Sequence, residues 1–166
     1  LTVSSAASDV YKRQDYLRDK YRQERDKRLR EDGNDQYQEV SGDFSYFVDD
    51  PYINEAIERQ ALTDSYEIVI IGGGFGGVLA ASRLKEAGFS DFKIIEKGGN
   101  FGGTWYWNRY PGASCDIESY IYFPLLEETK FIPGKKYTNA TETLEYFDVI
   151  SEKFGLNEHA IFQTEV

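Results

Sequence analysis

Two short apolar runs, Ile68 to Ile71 and Phe92 to Ile95, punctuate a chain that is otherwise rich in polar and charged positions. Between them Val78, Leu79, Ala81 and Leu84 recur at helical spacing, and this strand, helix, strand order predicts a parallel βαβ unit. A third strand is expected over Ala160 to Val166, so that the parallel-strand candidates are Tyr66 to Ile71, Phe92 to Ile95 and Ala160 to Val166. Ahead of the last, Leu144, Phe147, Val149 and Ile150 form the apolar stripe of a helix over Thr141 to Phe154, with Thr141 as its cap and Gly155 as its end. The pattern reads as α/β, the N-terminal part of a doubly wound, Rossmann-like parallel sheet. Such a sheet takes about five or six strands, and the remaining ones are expected beyond Val166.

The N-terminal third follows a different rule. Tyr11 to Glu31 carries an excess of Lys and Arg over Asp and Glu, with Tyr16, Leu17, Tyr21 and Leu29 as its few apolar residues. It predicts a charged, exposed helix from about Asp15 to Arg30. An aromatic, acidic loop is expected from Gly33 to Asp50, and Asp50-Pro51 offers a cap and first-turn proline for a helix through Leu62. The expected organisation is therefore a leader over 1–14, a helical and aromatic extension wrapped on the domain over 15–64, and a partial nucleotide-binding domain over 65–166. The leader's string SSAASDVYKRQ resembles translated sequencing-adapter read-through, which makes it a candidate non-native or disordered segment. The absence of any methionine agrees with reading the chain as a fragment.

The first apolar run ends in Gly72-Gly73-Gly74-Phe75-Gly76-Gly77 and passes straight into the helical pattern. Here Gly72 suits a tight turn, Gly74 a close approach of main chain to a pyrophosphate, and Gly77 tight helix-on-strand packing. The phosphates then meet free N–H groups at a helix start. Glu96 closes the second run, where such folds place a carboxylate on the ribose hydroxyls. A carboxylate there repels a 2′-phosphate, so the pattern suits FAD or NAD better than NADP at this site. A solvated carboxylate beside Lys97 is the plain alternative for Glu96.

Composition narrows the class. The 166 residues carry a net charge of −10, 16% aromatic residues and one cysteine. Cys115 alone forms no internal disulfide, and no apolar stretch approaches the ~20 residues of a membrane span. A cytoplasmic protein is the expectation. The basic helix invites a nucleic-acid reading, but Asp15, Asp19, Glu24 and Asp26 interrupt its surface and no nucleic-acid partner is expected. No metal site is expected either. Cys115 has no neighbouring histidine to act as its base; the single histidine, His159, is expected in a loop before the third strand.

The segment GGTWYWNRYPGASCDIESYIY resembles the stretch that follows the FAD ribose acid in class B flavoprotein monooxygenases of the Baeyer-Villiger type. The similarity runs from about Leu17 to Val166. The extension RDKYRQERDKRLREDGNDQY resembles the subgroup acting on bulky cyclic ketones and steroids, cyclopentadecanone monooxygenase among them.

The resemblance implies FAD and NADPH as cofactors and a ketone and O2 as small-molecule substrates. NADPH would reduce the flavin, O2 would add to it, and the flavin peroxide would insert oxygen beside the carbonyl to give an ester or lactone. By position, Gly72, Gly74 and Gly77 would hold the pyrophosphate and Glu96 the ribose. Thr104, Trp105 and Trp107 would line the flavin end, with Asp116 and Tyr122 close to the isoalloxazine and Ser114, Cys115 and Asp116 near the nicotinamide. Val166 would give main-chain contacts to adenine. Asp116 is the candidate for a chemical role, pairing with an arginine later in the family's sequence; a cap for a helical turn near Ile117 is its plain alternative. Core packing is the plain alternative for Trp105, Trp107 and Tyr122, and Tyr106 and Tyr110 are assigned to the core.

The family's second dinucleotide motif, histidine-centred fingerprint and active-site arginine do not occur in these residues. The chain by itself is therefore expected to be inactive and to bind FAD weakly or not at all. Two other readings stay open: a flavin-dependent N- or S-oxygenating monooxygenase, and a non-catalytic nucleotide-binding module. The oligomeric state is not legible.

Overall fold

The computed structural model describes residues 5–166, with side chains described from residue 13 onward. It divides into two compact units, 1–49 and 50–166.

The first unit is built on helix α1, Ser5–Asp26. It begins upstream of the expected Asp15 and continues through most of the suspected leader, whose first four residues lie outside the described part. Its charges pair along the helix surface, Asp19 with Arg22 at 3.2 Å and Glu24 with Lys27 at 2.7 Å, as interleaved acids and bases three residues apart should. Tyr16, Leu17 and Tyr21 are exposed. Two 3₁₀ turns, Gly33–Gln36 and Gly42–Phe47, follow and bury nothing.

The second unit holds the sheet. Strands β1 (Ile68–Ile71), β2 (Phe92–Ile95) and β3 (Ala160–Ile161) are parallel in the order β1-β2-β3. Helix α2, Phe75–Glu86, crosses from β1 to β2, and helix α6, Ala140–Phe154, precedes β3 and packs on α2. One-turn helices α3 (Thr104–Trp107), α4 (Ser119–Tyr122) and α5 (Leu126–Thr129) interrupt the loops between β2 and α6. Because the strand order advances in one direction, right-handed crossovers carry both connections over the same face.

Burial within the strands alternates accordingly. Phe92 and Ile94 are buried and Ile68 and Ile70 partly so, while Val69 and Ile71 are exposed. The first apolar run is thus covered on one face of the sheet only. The covered face is a mainly aromatic core: Phe75 of α2 stacks on Phe147 of α6 at 4.2 Å, and Phe123 stacks on Tyr146 at 4.9 Å. The stripe expected for α6 included Phe147 and Ile150 but missed the fully buried Tyr146 and Thr143.

Three local expectations are corrected. The cap of α6 is Asn139 rather than Thr141: its side chain accepts the Glu142 N–H, and Gly155 ends the helix in the left-handed region at φ 63°. The third strand stops at Ile161, because Gln163 adopts φ 52°, after which Gln163 and Thr164 bond to Gly98 and Glu96 carbonyls instead of continuing the ladder.

The helix after Pro51 does not form. Asp50 does accept the Tyr52 N–H at 2.9 Å, the first bond of a cap, but residues 55–65 run without helix. Ile57 N–H donates to the Gln163 side chain at 2.7 Å and Arg59 donates to the Phe162 carbonyl and the Thr164 hydroxyl. Bonds to the chain after β3 replace the i→i−4 bonds a helix would have made.

Candidate functional site

The glycine turn joins β1 to α2 and is held by contacts between main chains. Gly72 has φ 97°, open to glycine and costly for other residues, and its N–H bonds the Ile95 carbonyl at 2.7 Å, tying the end of β1 to the end of β2. A Cβ on Gly77 would stand 2.0 Å from the Gly72 carbonyl oxygen, so only glycine lets the first turn of α2 sit this close to the strand end. At Gly74 neither restriction applies. Its φ is −77°, and an added Cβ would meet only Gly103 Cα at 3.5 Å, an ordinary contact.

Gly74 is the residue before α2, and no side chain caps that helix start, whose first turn also carries no acid. Backbone N–H groups there form an electropositive end. The second glycine pair docks on the first turn: Gly102 N–H bonds the Gly73 carbonyl at 3.0 Å, and a Cβ on Gly103 would lie 2.8 Å from Gly74 Cα. Within this chain, the backbone of Gly102-Gly103 comes close to the glycine turn itself.

Glu96 is buried between these elements. One carboxylate oxygen accepts from Gly73 N and the other from Gly98 N at 2.7 Å. The side chain therefore reaches the glycine turn and braces the loop after β2, which excludes the reading of a solvated carboxylate beside Lys97. A carboxylate offers about four acceptor positions. The two bonds to backbone leave the others for ligand hydroxyls.

Beyond this turn, Thr104, Trp105, Ser114, Cys115, Asp116 and Tyr122 border one cavity of about 300 Å³. The chain folds so because the loop bearing residues 113–115 is pinned to the start of α6: Ala140 N–H bonds the Ala113 carbonyl at 2.9 Å and Cys115 N–H bonds the Thr138 carbonyl at 2.8 Å. The indole N–H of Trp105 donates to the Tyr122 hydroxyl at 3.1 Å, and the two rings meet edge to face. Tyr122 also packs edge-on to Phe75 of α2, so the cavity wall continues into the core.

Cys115 is buried with its sulfur 3.4 Å from the Thr138 hydroxyl, and Asp116 is exposed at the rim. Asp116 caps nothing, since α4 begins at Ser119 behind Glu118 without a side-chain cap. Asn108, Tyr110, Ala113 and Ile117 also line the cavity and were not expected there from sequence. Tyr110, assigned to the core, is 64% exposed; being aromatic was no guide to its side of the wall.

Two expected site residues stand elsewhere. Trp107 is half-buried and packs edge-on against Tyr106 at 5.1 Å, outside this cavity. Val166 is exposed beyond β3 and borders neither this cavity nor the one of about 500 Å³ between residues 57–66 and the open sheet face. His159 sits in the turn just before β3, as expected, stacked on Phe92 at 4.1 Å.

Tyr106 is buried beneath the loop after Glu96. Its hydroxyl donates to Asp50 at 2.7 Å and accepts from Gly99 N at 2.9 Å. Burial, reinforced by the Asp50 carboxylate, pushes the phenol up to about 12. Among the described residues no group of three or more His, Cys, Asp or Glu could hold a metal ion, and no helix is long and apolar enough to cross a membrane.

A family model described as an NAD(P)-binding Rossmann-like domain matches residues 70–146, from the end of β1 into α6. A protein of Streptomyces coelicolor named Baeyer-Villiger monooxygenase is 44% identical over 150 residues, 90% of this chain and 25% of that protein. By sequence and fold, the chain is similar to Baeyer-Villiger monooxygenases. It matches the N-terminal part of that flavoprotein fold and spans about a quarter of the length of these relatives. The structure of polycyclic ketone monooxygenase from the thermophilic fungus Thermothelomyces thermophila superposes with a TM-score of 0.74 at 39% identity, covering 91% of this chain and 26% of that one. A structure of OTEMO in complex with FAD and NADP superposes at 0.57 and 33% identity over 61% of this chain and 20% of that one.

Proposed function

We propose that this chain forms the FAD-binding part of an NADPH- and O2-dependent Baeyer-Villiger monooxygenase that converts ketones to esters or lactones. The observation that carries the reading is Gly74. Gly77 and Gly72 are demanded by the protein's own contacts and backbone angle, whereas Gly74 is demanded by neither and stands at an uncapped helix start. A phosphate drawn to those N–H groups supplies the missing reason for a residue without Cβ. Solved relatives with FAD and NADP bound support the choice of cofactors.

In this arrangement the start of α2 binds the pyrophosphate, and Glu96 accepts from ribose hydroxyls with the acceptor positions that Gly73 and Gly98 leave over. Trp105 and Tyr122 offer flat walls that exclude water from the cavity, and Thr104, Ser114 and Asp116 supply its polar rim. Bound there, a flavin supplies electron transfer from the nicotinamide and activation of O2. Asp116, exposed at the rim, holds a cation that steers the ketone. The sheet and turn orient; the cofactor does the hard step.

The test uses a protein carrying this chain at the full length of its relatives: titration with FAD, followed by quenching of flavin fluorescence, alongside ketone-dependent NADPH consumption. Saturable one-to-one binding and turnover of cyclic ketones rather than amines are expected. Absence of flavin from the full-length protein would sink the reading.

A further inference from the structure

The cofactor turn and the aromatic cavity are joined by a side chain that lies outside both motifs, at the entrance to the domain. Asp50 directs one oxygen to Tyr52 N–H at 2.9 Å and the other to the Tyr106 hydroxyl at 2.7 Å and to Gly99 N–H at 3.0 Å. The loop after β2 therefore presents successive N–H groups to two carboxylates, Gly98 to Glu96 and Gly99 to Asp50. The space around it is filled. A Cβ on Gly99 would lie 2.4 Å from Ile53, and one on Gly98 would lie 2.8 Å from the Tyr106 ring. Arg109 closes the cluster, its guanidinium over Tyr52 at 4.0 Å and Tyr106 at 4.5 Å while its Nε donates to the Tyr106 carbonyl.

We infer that Asp50 is a positioning residue that sets the Glu96–Gly99 loop and helix α3 in register for the dinucleotide. Through Gly99 it holds the loop whose Gly98 N–H orients the Glu96 carboxylate; through Tyr106 it holds the helix that carries Trp105 into the cavity wall. The ribose end and the flavin end of the site are thereby fixed to one group. Charge-assisted bonds to two donors from a half-buried carboxylate are the strong kind. Losing them frees both ends at once. The inference rests on the FAD reading, since it names what holds that site.

The experiment is run in a protein carrying this chain at the full length of its relatives and compares the parent with Asp50→Ala, Asp50→Asn and the remote surface change Arg83→Ala, at a temperature where circular dichroism shows all four folded. FAD titration and amide hydrogen exchange at Gly98 and Gly99 are measured on each. Asp50→Ala is expected to weaken FAD binding about tenfold and to speed exchange of both amides by at least about tenfold, as the loss of charge-assisted bonds implies. Asp50→Asn, which keeps one acceptor oxygen, should recover part of both, and Arg83→Ala should change neither. Wild-type affinity in Asp50→Ala, or exchange as slow as in the parent, overturns the inference. If the parent itself binds no FAD, the cofactor reading is what fails, and exchange at Gly98 and Gly99 alone then decides the role of Asp50.

Discussion

The glycine turn and the aromatic cavity stand side by side yet obey different physics. In the turn, contacts run from main chain to main chain: Gly77 against the Gly72 carbonyl, Gly103 against Gly74, Gly102 N–H on the Gly73 carbonyl. Nothing there can yield, because a carbonyl oxygen or a Cα has no rotamer to change. In the cavity the walls are side chains, several of them partly exposed, and Tyr110 and Tyr122 have room to move. On the proposed FAD reading, the difference divides the labour of the site. An invariant diphosphate suits a rigid backbone cradle, whereas the reacting end suits adaptable side chains.

The strongest way to break that contrast is Gly77→Ala. A methyl group 2.0 Å from the Gly72 oxygen forces α2 away from β1, and the cost should be about 3 kcal/mol or more, at the upper end of overpacking penalties. Chemical denaturation of the variant would show a large fall in midpoint. A change under about 1 kcal/mol would mean that the turn is as adaptable as the cavity.

Next in size is a pH effect at the joint between the two regions. Tyr106 has its phenol raised from 10.0 to about 12, first by burial and then by Asp50. Below pH 10 the group is protonated in folded and unfolded chains alike, and its contribution is fully present. As pH rises from about 10 to about 12 the unfolded chain ionises first, so stability falls by roughly 1.4 kcal/mol per pH unit at most. Asp50→Asn should narrow that window, because one of the causes is removed while burial remains. Alkaline denaturation curves that superpose for parent and variant would show that Asp50 does not couple to the phenol.

Legibility in the sequence follows the same division. Parallel strands, the glycine turn and Glu96 could be placed from residue spacing, because period, φ and Cβ clearance are local matters. Members of the cavity were named only through resemblance: nothing in the pattern WYWNRYPG tells that Trp105 and Tyr110 face the cavity while Trp107 turns toward Tyr106. The helix expected after Pro51 failed for a non-local reason. Asp50 carried a genuine cap signal, but its second oxygen was taken by Gly99 and Tyr106, and residues 55–59 found partners after β3. Exposure of Val69 and Ile71 was equally hidden, since an apolar run does not say which of its faces a helix will cover.

Gly74→Ala sharpens the comparison from the ligand's side. With φ −77° and its nearest contact at 3.5 Å, the position accepts alanine, and stability should stay within about 1 kcal/mol, with a slight gain from reduced freedom of the unfolded chain. Binding of FAD should nevertheless weaken about tenfold or more, because the methyl group occupies the approach to the helix start. Unimpaired binding would place the phosphates away from this residue.

Trp105→Phe gives the smallest effect and tests the cavity wall itself. The change removes the bond from the indole N–H to the Tyr122 hydroxyl and part of a mostly buried ring. The abandoned hydroxyl belongs to a partly exposed tyrosine, so water can replace its partner, and the space joins a cavity already present. The loss should therefore be about 1 kcal/mol, near that of a single hydrogen bond and well below the cost of a sealed void. Trp107 then remains as the lone tryptophan, and its emission should be nearly unchanged, because it packs on Tyr106 outside the cavity. Should Trp105→Phe instead unfold the chain as readily as Gly77→Ala, the cavity wall would prove as rigidly determined as the turn, and the division between backbone cradle and adaptable side chains would not hold.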